Sequence, residues 1–355
     1  MTTAISFQTF DDRIDRAHTV FGESKRQWEE MVKRAQEEEK NRLATSIPSF
    51  PNGSLGPLHP YAPSRVSFEW IETLGNGTYG QVSKVRQLST GRIYAQKVIR
   101  VTDPRLRPRI EKEVENEVSI MEKLPHLHIT SLIFHVRDED TFTILMLPVA
   151  DYNLLQFLQR KCINASFPRT ELTHLTSWFG CLVSALAFAH SRKIKHEDIK
   201  PTNILIKDHQ PYLADFGCAQ DFSGLERSTS TDVLAFGTPV YWAPENPPRG
   251  RAADIFSLGC VFSEMLTVRQ SCSLDDYQRF RYLANRDNPY AFRENLPQVY
   301  TWLEQLRRPN DAVAELLIEQ TLKMLEQDKD SRPEAKDIKR GLRPEGDAVF
   351  CTTCY

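Results

Sequence analysis

Ile194-Lys195-His196-Glu197-Asp198-Ile199-Lys200-Pro201-Thr202-Asn203-Ile204-Leu205-Ile206 is the stretch on which the reading of this chain turns. Asp198 and Asn203 stand five apart, a spacing that lets one loop offer a carboxylate to a hydroxyl proton and an amide oxygen to a metal. Lys200 follows the carboxylate by two residues and can neutralise charge on a transferred group. Twelve residues after Asn203 comes Asp215-Phe216-Gly217, whose carboxylate is a hard oxygen ligand suited to Mg²⁺. Asn203 and Asp215 would thus bring two oxygen ligands from different segments to one metal.

Upstream, Leu74-Gly75-Asn76-Gly77-Thr78-Tyr79-Gly80-Gln81-Val82 carries a GxGxxG pattern between two strand-like runs. Glycines without a Cβ let backbone amides approach phosphate oxygens, and a strand on both sides favours a phosphate-covering hairpin over a dinucleotide fingerprint, which opens into a helix. Taken alone, the pattern also fits a plain glycine-rich turn. In Tyr94-Ala95-Gln96-Lys97-Val98-Ile99 a lysine interrupts an apolar strand pattern. Its ammonium would be costly to desolvate unpaired, and Glu117 on the following helix is a suitable partner. A solvent-facing lysine on an edge strand is the other reading of Lys97 taken singly.

Short runs rich in β-branched and aromatic residues predict five strands, Phe68 to Leu74, Gln81 to Arg86, Ile93 to Val101, Thr130 to Val136 and Phe142 to Leu147. Arg109 to Leu124 interrupts them with helical spacing of Val114, Val118 and Met121. Beyond Tyr152 the pattern is helical, in Leu172 to Ser191, Ala253 to Leu266 and Asp311 to Gln327, with strand-like pieces near Ile204 to Ile206 and Tyr212 to Leu213. Ahead of the first strand, Trp28, Met31, Val32 and Ala35 give residues 1–45 an amphipathic helix, and prolines and glycines make 46–65 a linker. That helix is either a solvated element with a weak apolar face or a docking element that regulates the rest.

Together these motifs resemble a eukaryotic protein kinase over residues 66–342, with 66–147 as the small lobe, 150–342 as the large one and 343–355 as a C-terminal tail. The resemblance implies an α+β bilobal fold: a small lobe with a five-stranded antiparallel sheet and one helix, a larger helical lobe, and an ATP cleft between them. It implies ATP and Mg²⁺, with Asp198 as catalytic base, Lys200, Asn203, Lys97 and Glu117 as its companions, and Asn203 and Asp215 as metal ligands. Leu74, Gly75, Asn76, Gly77, Thr78, Tyr79, Gly80, Gln81 and Val82 would cover the nucleotide with Ala95 and Lys97. Met146 would be the gatekeeper, Leu147, Pro148 and Val149 the adenine-binding hinge, and Leu205 the lower face of the adenine sandwich. Met121, Leu132, His196 and Phe216 would stack as a regulatory spine. Gly237 to Glu245 resembles the end of an activation segment, with Arg332 the partner of Glu245, and Asp254-Ile255-Phe256-Ser257-Leu258-Gly259 the buried helix that anchors the catalytic loop. Lys200 and Thr238 mark the serine/threonine branch, so protein Ser/Thr hydroxyls are the implied substrates.

Glu197 departs from the family at a position that is arginine in most relatives, where the arginine receives an activation-segment phosphate. A carboxylate repels that phosphate, so Ser228, Thr229, Ser230 and Thr231 are not expected to act through the usual docking. A pseudokinase and a small-molecule phosphotransferase are the competing readings; the presence of Lys97, Asp198, Asn203 and Asp215 counts against the first and the 237–245 segment against the second.

The 355 residues, 40% hydrophobic and 26% charged, suffice for a large core, and a formal net charge of −2 gives no basic field for nucleic acid or anionic membranes. No signal peptide is read at Met1 and no run approaches 18 uninterrupted apolar residues, so an intracellular, cytosolic or nuclear protein is expected, without nucleic-acid or membrane partners. Seven scattered cysteines argue for reduced thiols. Cys351-Thr352-Thr353-Cys354 has metal-ligand spacing, but it supplies two ligands where structural zinc takes four, so the expectation is two thiols on a loose tail. Cys351 is fifth from the end, which also excludes the prenylation pattern.

Overall fold

The computed structural model describes residues 68–76, 80–138, 140–160, 167–223, 238–245, 250–284 and 290–354. The expected N-terminal helix and linker, Gly77, Thr78, Tyr79, Gly237 and the Ser228–Thr231 cluster lie outside the described residues. The chain divides into two compact units, Met1–Val149 and Ala150–Tyr355.

In the N-terminal unit, β1 (Phe68–Asn76), β2 (Gly80–Gln87), β3 (Ile93–Arg100), β4 (Ser131–Asp138) and β5 (Thr141–Leu147) form an antiparallel sheet of order β1-β2-β3-β5-β4. Between β3 and β4 runs α1 (Arg107–Glu122). It starts earlier than hydrophobic spacing suggested, because Asp103 caps a 3₁₀ turn at Pro104–Leu106 by accepting from the Arg105 N–H, and the turn leads directly into the helix. Strand alternation sorts the side chains. Val85, Tyr94, Leu145 and Leu147 close one apolar core with Ile133. Register puts Val82 opposite Lys97 and Ala95 opposite Met146, so these residues share the other face of the sheet.

The C-terminal unit is mainly helical. After β6 (Tyr152–Asn153) and α2 (Leu154–Leu158) comes α3 (Arg169–Ser191). By length and composition α3 could cross a membrane. Its apolar residues are nevertheless buried all round, among them Leu175, Trp178, Phe179, Leu182, Val183 and Leu186, the pattern of a core helix. Each such side chain contributes roughly 1.5–3 kcal/mol of burial free energy. Next come β7 (Ile194–Lys195), β8 (Ile204–Lys207), β9 (Gln210–Leu213) and β10 (Gln220–Asp221), paired as β10-β7 and β6-β8-β9. The rest is α4 (Arg251–Arg269), α5 (Leu274–Ala284), α6 (Leu296–Gln305), α7 (Ala312–Met324), α8 (Ala335–Leu342) and α9 (Gly346–Val349).

The two-unit architecture, with a five-stranded antiparallel sheet and one α-helix in the first unit among the described residues, agrees with the expected bilobal fold. The loose tail does not survive. Residues after α8 turn back onto α3, and Val349, Phe350 and Cys354 are buried. The reason is steric fit: Gly180 has no side chain, and a Cβ there would stand 2.3 Å from the Val349 carbonyl oxygen.

Candidate active site

In the N-terminal unit, Lys97 on β3 reaches Glu117 on α1, donating to both carboxylate oxygens at 2.7 and 2.8 Å. Glu117 is buried and Lys97 half-buried, so the pair supplies the charge compensation that the sequence pattern required. Ala95 is buried, and Val82 and Met146 are half-buried beside it on the same face of the sheet, while Leu147 belongs to the opposite core and Leu74 is exposed. Gly80 is a glycine for packing reasons: a Cβ would lie 2.3 Å from the Val98 carbonyl oxygen. Gly75 differs, because a Cβ there would meet no atom of the described residues within 4 Å. The lack of a side chain at Gly75 therefore leaves open space beside backbone, which fits close approach by a phosphate. Asn76 and Gln81 are register partners of β1 and β2.

In the C-terminal unit, Asp198 is tied on both oxygens. Oδ1 accepts from the Thr238 N–H at 2.8 Å and the Thr238 hydroxyl at 3.0 Å. Oδ2 accepts from Lys200 Nζ at 2.7 Å and Asn203 Nδ2 at 3.0 Å. Lys200 also donates to Thr238 Oγ1 at 2.7 Å, so one ammonium bridges the carboxylate and the hydroxyl. Asn203 Nδ2 donates again to the Asp198 carbonyl at 2.9 Å, which orients the amide with its nitrogen committed and its oxygen left as the group to meet a cation. The exposed Asp215 adds a carboxylate from the loop after β9, at a φ of 63°. An amide oxygen and a carboxylate are the donors Mg²⁺ takes, so this set fits that ion. Leu205 lies on β8, half-buried, and pairs with Tyr212.

The loop is pinned from below by Asp254 on α4. Its carboxylate accepts from the backbone N–H of His196 at 2.9 Å and of Glu197 at 2.8 Å, and meets His190 Nε2 at 2.9 Å. Burial alone would raise the Asp254 pKa; the hydrogen bond and charge of His190, with His196 behind them, hold it below the usual carboxylate value. His196 Nε2 lies 3.0 Å from the Ala214 carbonyl and its Nδ1 accepts the Asp198 N–H at 3.3 Å, which fixes the orientation of the ring. Its ring lies 4.8 Å from that of the fully buried Phe216. Glu197 has a φ of 64°, a conformation costing about 1–3 kcal/mol and held here by the Asp254 bond.

Two features escaped sequence reasoning. Lys195, fully buried, pairs with Glu197 at 2.8 Å, so the carboxylate just ahead of Asp198 neutralises an internal ammonium. The available signal was a lysine and a glutamate two residues apart in sequence. His190 reaches Asp254 across 64 residues, with no local signal at all. Beside the site, burial and then the charges of Asp198 and Asp215 push the Cys218 thiol up to about 12, so it stays protonated near neutral pH.

Further along, Arg332 grips Glu245 with two bonds of 2.9 Å and also donates to the carbonyls of Ala252, Glu326 and Gln327. Both residues thus occupy the structural role expected of them.

A curated relative, 3-phosphoinositide-dependent protein kinase B of Dictyostelium discoideum, is 28% identical over 247 residues, which is 68% of this chain and 26% of that protein. The chain therefore matches about a quarter of that relative's length. The family model described as the protein kinase domain matches residues 68–341. With that match covering most of its length, the chain belongs to the protein kinase family.

Proposed function

We propose that this protein is a serine/threonine kinase that transfers the γ-phosphoryl group of ATP to hydroxyls of protein substrates, without needing an activation-segment phosphate docked beside its base. The observation that carries this reading is the closed arrangement of Asp198, Lys200, Asn203 and Thr238, in which the carboxylate and the ammonium are both oriented by neighbours. In this mechanism Asp198 receives the hydroxyl proton of the substrate and aligns its oxygen for attack. Lys200 carries positive charge next to that oxygen and offsets charge on the phosphoryl group. Lys97, held by Glu117, would meet the nucleotide phosphates, beside Gly75 and Gly80 of the glycine pattern. Within the N-terminal unit, Val82 and Ala95 would face the adenine, with Met146, Leu147 and Val149 bordering it. Asn203 and Asp215 would hold Mg²⁺, which when bound screens the phosphate charge.

Glu197 supports the regulatory half of the proposal. Glu197, which the kinase resemblance places at an arginine position, is paired with Lys195, so internal neutralisation replaces an incoming phosphate. The test is an assay with γ-labelled ATP, Mg²⁺ and generic protein substrates, run beside Asp198→Asn. Labelled phosphoserine or phosphothreonine is expected, with a rate about 10²–10⁴-fold lower in the variant. ATP binding without transfer would make the protein a scaffold, and label on tyrosine alone would overturn the substrate class. Alanine at Ser228, Thr229, Ser230 and Thr231 together is expected to leave the rate unchanged; its loss in a folded, ATP-binding variant would overturn the phosphate-independent switch.

A further inference from the structure

We propose that Cys181, Cys351 and Cys354 bind a zinc ion that fastens the C-terminal segment to α3. The three Sγ atoms lie within 4.8 Å of one another. Cys181 and Cys354 are buried and Cys351 is half-buried. Thiolates on one tetrahedral zinc, each about 2.3 Å from the metal, stand about 3.8 Å apart, so the cluster needs to contract by no more than about 1 Å. The missing ligand in the sequence reading was a matter of distance along the chain. Cys351 and Cys354 supply two donors from the CxxC, and Cys181 arrives from a helix 170 residues earlier.

The surroundings are shaped for this approach. Gly180, next to Cys181, lets the backbone of Val349 close on α3, because a Cβ would lie 2.3 Å from its carbonyl oxygen and 2.4 Å from the Phe350 ring. The Cys351 N–H donates to Cys181 Sγ at 3.3 Å, an amide-to-sulfur bond of the kind that steadies a metal thiolate. The Cys354 N–H donates to the Cys351 carbonyl at 3.1 Å, folding the CxxC into a turn with both sulfurs near the third. One helical turn from Cys181, Lys339 donates to Ser184 at 2.9 Å, bringing positive charge to the same stretch of α3.

A disulfide would join two of these sulfurs and leave the third thiol beside it, whereas a metal engages all three. Soft thiolate donors select zinc over Mg²⁺ or Ca²⁺. Binding forms three Zn–S bonds and releases three thiol protons to solvent, with no change of oxidation state at zinc or sulfur. A nitrogen or oxygen donor completes the four-coordinate shell. This site is independent of the catalytic reading, since none of its residues touches Asp198 or Lys97 chemistry.

The experiment uses the full chain, purified under reductant with any tag removed. Elemental analysis by plasma mass spectrometry is expected to find about one zinc per chain after exhaustive dialysis. X-ray absorption at the zinc edge is expected to show three sulfur neighbours at about 2.3 Å and one lighter donor. Cys351→Ser and Cys354→Ser should lose the metal, and Cys272→Ser should keep it. Extraction of zinc from the wild-type chain by a chelator should lower its melting temperature. If the serine variants fail to fold, Co²⁺ exchange into the wild-type chain reads thiolate-to-metal charge-transfer absorption directly. Absence of zinc and of cobalt uptake in the reduced wild-type chain would overturn the proposal. So would a shell without three sulfurs, or zinc retained when Cys351 and Cys354 are both serine.

Discussion

Lys97 in the N-terminal unit and Asp198 in the C-terminal unit are both charged groups largely withdrawn from solvent, and they are held in opposite ways. Lys97 meets a carboxylate carried on a separate helix, so the pair depends on how α1 lies against the sheet. Asp198 is fixed within a web of backbone and side-chain donors, and the loop beneath it is bonded to the fully packed α4. The first arrangement can be made or broken by a shift of one element; the second cannot be altered without leaving buried donors unsatisfied. The lesson is that the same family of charges is adjustable in one unit and rigid in the other.

The sharpest way to break this comparison is at Asp254. Asp254→Ala strips an acceptor from two backbone N–H groups and His190, each costing about 1–3 kcal/mol when left unpaired, so denaturant unfolding should show a loss of several kcal/mol together with lost activity. Arg332→Met leaves Glu245 without its bidentate partner and should cost about 3–5 kcal/mol; adding Glu245→Gln should recover part of that, as a double-variant cycle would measure. Glu117→Gln should behave differently, raising the KM for ATP and lowering the rate with a smaller stability change than either. Equal destabilisation by Glu117→Gln and Asp254→Ala would erase the contrast between the units.

The smallest effect is expected at Glu264 on α4. Burial raises its pKa from 4.5 to about 7, against the opposing pull of Arg281 and the Tyr241 hydroxyl. Between those values the folded chain holds a proton that the unfolded chain has released, so this group's contribution to stability falls as pH rises from 4.5 to 7 and then levels off. Glu264→Gln, neutral throughout, should therefore gain in melting temperature over the wild type at about pH 8 and differ little at about pH 5. The same advantage at both pH values would show that Glu264 titrates alike folded and unfolded.

Much of the fold was legible because strands and helices announce themselves by local periodicity. The expected strands are present with ends moved by one or two residues, and α1 begins earlier because a cap and a 3₁₀ turn, not hydrophobic spacing, start it. The carboxylate, ammonium and amide of the catalytic loop were legible for the same reason: five residues of loop can bring Asp198 and Asn203 only so far apart. Gly80 was legible as a special position but for an incomplete reason, since its neighbour is the Val98 carbonyl as well as any ligand.

By itself the sequence determined which residues could do chemistry, through residue type and short spacing: Asp198 with Lys200 and Asn203, Lys97 as an ammonium in need of a carboxylate, and the departure at Glu197. Tertiary structure decided which charged and thiol groups meet once the chain is folded. His190 reaches Asp254, Lys195 turns inward to absorb the charge of Glu197, and Cys181 joins Cys351 and Cys354. The physical reason is that local spacing fixes direction over a few residues, whereas contacts across 64 or 170 residues are set by which surfaces lose their water against each other.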